Sequence, residues 1–211
     1  MSEQHRFRRP AMLSPEQAEA IVGDVDPAVR SEAAHTTATA IVHGGRAASD
    51  DAALVERLVS LVDTEGIDTV AALWADSPAE TLPGALWRLY LLREWTRRDP
   101  RTIAERYQLG VARAEVAGAV AGVADAPGPE EIRTLADAVL SGVFRGDLDV
   151  ALERAGAFCR VLATGSALDA DSVATSSGHA ATRITRHAGA LLGTAEELEQ
   201  AAALWRAERL D

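Results

Sequence analysis

The chain has 211 residues, a formal net charge of -11 and a single cysteine. Hydrophobic residues make up 47% of it and charged residues 25%, which is typical of a folded protein and too apolar for a disordered one. The acidic balance argues against a protein that coats nucleic acid or anionic lipid with its whole surface. One cysteine excludes an intramolecular disulfide and any site built from several cysteines.

All basic residues other than histidine are arginine, and the sequence contains neither lysine nor asparagine. Both missing residues are encoded by A-rich codons, so a GC-rich genome explains the bias. Arginine is therefore weak support for chemistry that only arginine can perform. No apolar run reaches the roughly 18 residues of a membrane-spanning helix, and no apolar stretch follows the basic start "HRFRRPAML". We therefore expect a cytoplasmic protein without a membrane partner.

Helix start signals recur along the chain: Ser14, Asp26 and Asp99 each precede a proline, as a capping residue does at a helix start. No segment shows the two-residue alternation of a strand. The sequence thus predicts an all-α fold, a bundle of about ten helices. The predicted helices cover residues 14–22, 27–43, 50–65, 68–76, 84–98, 100–108, 111–124, 129–144, 147–163, 179–192 and 195–209.

Composition divides the chain into four parts. Residues 1–12 are expected to form a loose basic tail, and residues 13–164 the main helical bundle. Residues 165–178, "GSALDADSVATSSG", are small, polar and without periodicity, so they predict a flexible connection. Residues 179–211 would then be a pair of helices docked on the bundle, the second starting at the capping box "TAEE".

The segment from 85 to 107, "ALWRLYLLREWTRRDPRTIAERY", is rich in aromatic residues and arginine. On a helical wheel, apolar side chains surround nearly the whole axis of helix 84–98. Such a helix is buried in a bundle or shared with a partner. Trp87, Leu91 and Trp95 follow an i, i+4, i+8 line, which we interpret as core.

Positive charge is concentrated in the second half of this segment. Residues 88–113 carry seven arginines against three acidic residues, Glu94, Asp99 and Glu105, so this stretch is +4 and the remainder -15. Tryptophan, tyrosine and arginine are enriched at interface hot spots, although arginines in the last turn of a helix also offset its dipole. We predict a non-enzymatic protein that binds an acidic protein partner or a second copy through residues 86–113. The predicted partner-binding residues are Arg93, Arg97, Arg98, Arg101 and Arg106.

Residues 54–90 resemble the N-terminal domain of TetR-type repressors. Its helix-ending glycine and glycine-x-leucine-tyrosine motif have counterparts here, at Gly66, Val70, Gly84, Leu86, Trp87 and Tyr90. The resemblance implies a DNA-binding regulator, which is the second hypothesis, with DNA bound through residues 50–90 or through the arginine-rich corner. The sequence departs from the motif at Leu82-Pro83, and Asp68 would face phosphates unfavourably.

Catalytic and metal-binding signatures are absent from the sequence, so no catalytic residue, metal or cofactor is predicted. His35 and His43 are eight residues apart, and His179 and His187 repeat that spacing. A metal site would require both pairs to meet, which is the third hypothesis; surface histidines are the simpler interpretation. Cys159, in "AGAFCRVLA", is interpreted as a buried, inert thiol.

Overall fold

The computed structural model describes residues 26–43, 66–112, 127–142, 147–174 and 177–211. These ranges contain seven helices and no strand, which confirms the all-α class for the part of the chain they cover. None of these helices combines the length and the apolar character needed to cross a membrane. We number them α1 (Pro27–Val42), α2 (Ile67–Trp74), α3 (Leu82–Arg98), α4 (Pro100–Val111), α5 (Pro129–Leu140), α6 (Leu148–Ala174) and α7 (Gly178–Arg206).

Part of the predicted organisation falls outside these ranges. The basic tail at 1–12 and the helices predicted at 14–22 and 50–65 lie entirely outside the described residues, and the helix predicted at 111–124 lies largely outside them. Within the described residues, the helix starts predicted at Asp26 and Asp99 are observed. The side chain of Asp26 accepts a hydrogen bond from the backbone N–H of Ala28 at the start of α1, and Asp99 accepts one from Thr102 at the start of α4.

The structure differs from the prediction at residues 165–178, since α6 continues through Ala174 where a flexible connection was expected. The small residues there are part of a packed surface: Gly165, Ser166 and Ala170 are buried. Their weak hydrophobic pattern reflects close helix contacts, in which small side chains are favoured over large ones. This stretch is rich in small residues because another helix approaches it closely, and not because the chain is flexible there.

The C-terminal segment is one helix where two were predicted. α7 passes through Gly193 without a break, because Leu191, Ala195 and Leu198 continue a single buried stripe across it. α6 and α7 pack antiparallel along their lengths, and Arg160 and Glu199 are joined across the pair by two hydrogen bonds of 2.6 Å. The two helices form a long hairpin that supports the rest of the bundle.

Two glycines bring α4 into backbone contact with α6. A Cβ atom on Gly165 would lie 1.7 Å from the carbonyl oxygen of Arg106, and one on Gly110 would lie 2.1 Å from that of Val161. No larger residue fits at either position without moving a backbone. This crossing fixes α4 on the hairpin, and α4 follows α3 after the single residue Asp99.

α3 contacts all six other described helices. Its first turn is buried because the capping side chain of Thr81 and the close approach of Gly84 to the carbonyl of Pro78 hold it against the preceding turn. Beside it, the buried indole of Trp74 donates a hydrogen bond of 3.0 Å to Thr37 on α1. This contact satisfies the indole N–H inside the core.

Replacing Gly165 by alanine tests the α4–α6 crossing. Glycine to alanine in a helix interior ordinarily stabilises a protein by about 0.5–1 kcal/mol, but here the added methyl group overlaps the backbone of Arg106. We expect Gly165→Ala to lower the free energy of unfolding by about 1–3 kcal/mol in urea titrations. Gly189→Ala is the matched control, since a Cβ there meets nothing within 4 Å, and it should be neutral or stabilising. Equal stability of the two variants would contradict the crossing.

Candidate functional site

None of the helices that the structure describes covers one side of α3. Leu91 is 45% exposed, and Trp87 and Trp95 are half-buried, so interpreting this line as core is wrong at its centre. α2 covers the neighbouring face, where the Tyr90 hydroxyl donates to Asp68 at 3.0 Å, and α7 covers the face of Leu92. Between these two neighbours lies a strip of large apolar side chains, in which Leu91 is exposed and the flanking tryptophans are partly exposed.

An apolar groove of about 370 Å³ runs beside this strip, between α3 and α7. Arg88 closes one end: its guanidinium donates to Glu197 at 2.6 Å and to the carbonyl of Gly84 at 2.8 Å. The exposed His187 lies at the other end. The groove is lined by Arg88, Leu91, Leu92, Trp95, His187, Ala190, Leu191 and Thr194. We call the strip of Trp87, Leu91 and Trp95, together with this groove, the α3–α7 face.

Glu94 organises the arginines at the C-terminal end of α3. Its side chain is only 6% exposed and accepts hydrogen bonds from Arg93 at 2.7 Å and Arg97 at 3.1 Å, and Arg98 lies at 3.5 Å. Three guanidinium groups thus share one buried carboxylate. Because Arg97 and Arg98 are largely exposed, their charge is only partly offset.

The five arginines predicted to bind a partner fall into two groups. Arg93 is bound to Asp137 of α5, and Arg106 to Asp169 of α6 at 3.0 Å, so both mainly join helices. Burial alone would lower the pKa of Arg93, but its hydrogen bond to Asp137 and the charges of Asp137 and Glu94 raise it above the ordinary value. The other three, Arg97, Arg98 and Arg101, are exposed together at the α3–α4 junction.

The arginines that α7 contributes to this region were not predicted from the sequence. α3 and α7 run antiparallel, so the early turns of α7 lie toward the C-terminal end of α3. Arg183 and Arg186 are exposed there, and neither forms an ion pair with any residue that the structure describes. We call Arg97, Arg98, Arg101, Arg183 and Arg186 the basic end. Its α7 members are over 80 residues away in sequence, and only tertiary packing reveals them.

Tyr90 supports the strip from beneath. Its ring stacks on Trp87 with centroids 5.4 Å apart and planes 20° apart. Burial raises the pKa of Tyr90, the hydrogen bond to Asp68 and the charges of Asp68 and Glu94 raise it further, and Arg98 acts in the opposite direction. The hydroxyl therefore stays protonated and holds Trp87 in place through the stacked ring.

The histidine pairs lie apart. His43 packs on Trp205 near the C-terminal end of α7 with ring centroids 6.0 Å apart. His187 precedes Trp205 by 18 residues on that helix, which at 1.5 Å per residue is about 27 Å. Among the residues that the structure describes, no group of three or more histidine, cysteine or acidic side chains could hold a metal ion. The shared metal site proposed from spacing does not form.

Cys159 is fully buried, and burial raises the pKa of its thiol to about 12, with the charge of Glu199 adding to the effect. A thiol with this pKa is protonated at neutral pH and is a poor nucleophile. The interpretation of Cys159 as a buried core residue agrees with this placement.

Where the structure describes it, the region that resembles a TetR-type DNA-binding domain does not expose the side chains that would have to contact DNA. The first turn of α3 would have to present side chains to base edges, but Leu82, Gly84 and Leu86 are buried. The preceding helix, α2, buries Val70 and Trp74. Of the matching positions, Val70, Gly84 and Leu86 are therefore occupied by packing within the bundle.

Comparison of the chain with protein-family models, with curated proteins and with solved structures found no match. The α3–α7 face must be interpreted from its own chemistry.

Replacing Glu94 by glutamine tests the buried carboxylate. The isosteric change keeps the volume but removes the charge shared by Arg93, Arg97 and Arg98. We expect the free energy of unfolding to fall by about 2 kcal/mol, because hydrogen bonds to charged groups are worth roughly that much. Glu105→Gln, at an exposed position on the next helix, should change little. Urea unfolding would detect the difference, and two equally stable variants would show that Glu94 does not organise the arginines.

The raised pKa of Tyr90 predicts that the folded chain loses stability at alkaline pH. Its folded-state pKa lies above the ordinary 10.0, so above that pH the unfolded chain releases the proton before the folded chain does. The contribution is complete below the ordinary pKa and is lost as pH rises through the raised one. The free energy of unfolding should therefore decline more steeply above pH 10 in the native chain than in Tyr90→Phe. If the free energy of unfolding changed with pH in the same way in both proteins, the folded state would not raise the pKa of the Tyr90 hydroxyl.

Proposed function

We propose that this chain is a non-enzymatic protein that binds another polypeptide, and that the α3–α7 face is where it binds. The observation that supports this most strongly is the exposed Leu91, flanked along α3 by the half-buried Trp87 and Trp95, beside an apolar groove. Contiguous exposed apolar patches on a folded protein mark interaction sites, whereas single exposed apolar residues are ordinary.

The composition of the face suits protein binding. Aromatic side chains and arginine supply much of the energy at protein interfaces, and they work best at the centre of a patch that partner residues can seal from water. Leu91 is at the centre of the strip with a tryptophan one turn away on each side. Fully burying a leucine side chain stabilises by about 1.5–3 kcal/mol relative to leaving it exposed, so covering the half-exposed Leu91 supplies part of that.

The face is also preorganised. Arg88 links α3 to α7 through Glu197, Tyr90 links α3 to α2 through Asp68, and Arg93 links α3 to α5 through Asp137. A partner therefore meets side chains on helices that are already fixed. Binding to fixed elements costs less conformational entropy than binding to mobile loops.

Photo-cross-linking tests the proposal directly. A photoreactive residue at position 91 should give covalent adducts with a polypeptide in cells, because this position faces the bound partner. The matched control is position 109, where Leu109 is 44% exposed near the end of α4 and does not line the groove. We expect adducts from position 91 well above those from position 109. Equal or absent cross-linking at the two positions would contradict binding through this face.

Nucleic acid binding is the second candidate, and the observation that favours it is the exposed basic end. Phosphate contacts weaken steeply as salt concentration rises, whereas apolar contacts do not. If the basic end binds DNA, gel shifts with genomic fragments should show binding that falls sharply with salt and that Arg97→Glu with Arg98→Glu abolishes. Absence of a shift at low salt would dispose of this candidate.

A further inference from the structure

We infer that the polypeptide covering the α3–α7 face is a second copy of this chain, in a twofold-symmetric dimer whose two α3 helices run antiparallel. This inference rests on the proposed function and names its partner. It follows from the charges at the two ends of α3 and from the spacing of the apolar residues between them.

The two ends of the face carry opposite charge. The C-terminal end of α3 is the basic end, where Glu94 offsets only part of the charge of Arg97 and Arg98. Asp99 and Glu105 also lie on that side, but the early turns of α7 add two further arginines. The N-terminal end of α3 is acidic, with Glu80 exposed in the preceding turn and free of ion pairs with described residues.

The chain's last residues reinforce the acidic end. Asp211 is exposed, and its backbone carbonyl accepts a hydrogen bond of 2.8 Å from the N–H of Leu82, which holds it at the start of α3. Next to it, Glu208 and Arg209 are both exposed and offset each other. The charge along the face therefore changes sign from one end of α3 to the other.

A twofold axis accommodates both the charges and the apolar strip. Position 89 lies midway between Trp87 and Leu91 on α3, and counted in residues it is also midway between Arg98 and Glu80, which is in the turn just before the helix begins. An axis there packs Trp87 of each copy against Leu91 of the other and places each Arg98 near the partner copy's Glu80. Twofold interfaces require such a self-complementary patch. The same twofold axis thus brings together both the apolar side chains and the opposite charges of the two copies.

A uniformly acidic partner fits the surface less well. It would match the basic end but would bring like charges together at Glu80 and Asp211, and juxtaposed like charges oppose association. A second copy meets opposite charge at both ends. The exposed Leu91 also lines the groove, so in a dimer each copy offers this side chain and an apolar groove to the other.

The first measurement is the mass of the purified full-length chain by sedimentation equilibrium over a range of concentrations. We expect a dimer, and Leu91→Glu should raise its dissociation constant roughly thirtyfold or more, as expected for a central hot-spot residue. Leu109→Glu, with nearly the same exposure on α4, should leave it unchanged. Circular dichroism of both variants checks that the fold is intact.

Charge reversal tests the antiparallel register. Arg98→Glu alone and Glu80→Arg alone should each weaken the dimer by about tenfold, because each creates two like-charge contacts. Mixing the two variant chains should restore association, since every contact in the mixed dimer then joins opposite charges. Failure of the mixture to associate better than either variant alone would overturn this register.

Other outcomes separate the dimer from the proposed function. A chain that stays monomeric at all concentrations, yet cross-links from position 91 to a different polypeptide, would overturn the dimer and leave the proposed function standing. A monomer whose position 91 cross-links within its own chain, for example to residues 50–65, would overturn both. A monomer without adducts would also overturn both. A dimer with adducts of twice the chain mass supports both.

Discussion

The close contact of α4 with α6 at Gly110 and Gly165 anchors α4, and with it the C-terminal end of α3, on the hairpin of α6 and α7. α4 follows α3 after one residue, so docking α4 on the hairpin of α6 and α7 also fixes the C-terminal end of α3. α7 then lies beside α3, and the groove forms between them. A pair of glycines with no polar chemistry of their own thereby positions the surface on which the proposed function depends.

Much of the local structure could be predicted from the sequence, because caps and helical periodicity act over a few residues. The Asp99-Pro100 helix start is an example, and the all-α class follows from many such signals. The long α6 helix was missed at residues 165–174, where small residues indicate flexibility in isolation but close packing once α4 is in place. Similarly, the apolar line of Trp87, Leu91 and Trp95 could not show which of its neighbours would cover it.

The arginines illustrate the same limit. Five were grouped by their proximity in sequence, yet Arg93 and Arg106 join helices through Asp137 and Asp169. The exposed ones lie toward the same end of the face as the exposed Arg183 and Arg186 of α7. In a chain without lysine, one residue type provides both the interhelical ion pairs and the exposed charge. The two roles can be told apart only from how deeply each arginine is buried and which residues it contacts.

Hydroxyl-radical footprinting in intact cells shows directly whether another polypeptide covers the α3–α7 face. We expect Leu91 and Trp95 to be protected in cells and labelled in the dilute purified chain, while Leu109 is labelled equally in both. Equal labelling of Leu91 and Leu109 in cells would mean that the face stays open to water and that no polypeptide covers it.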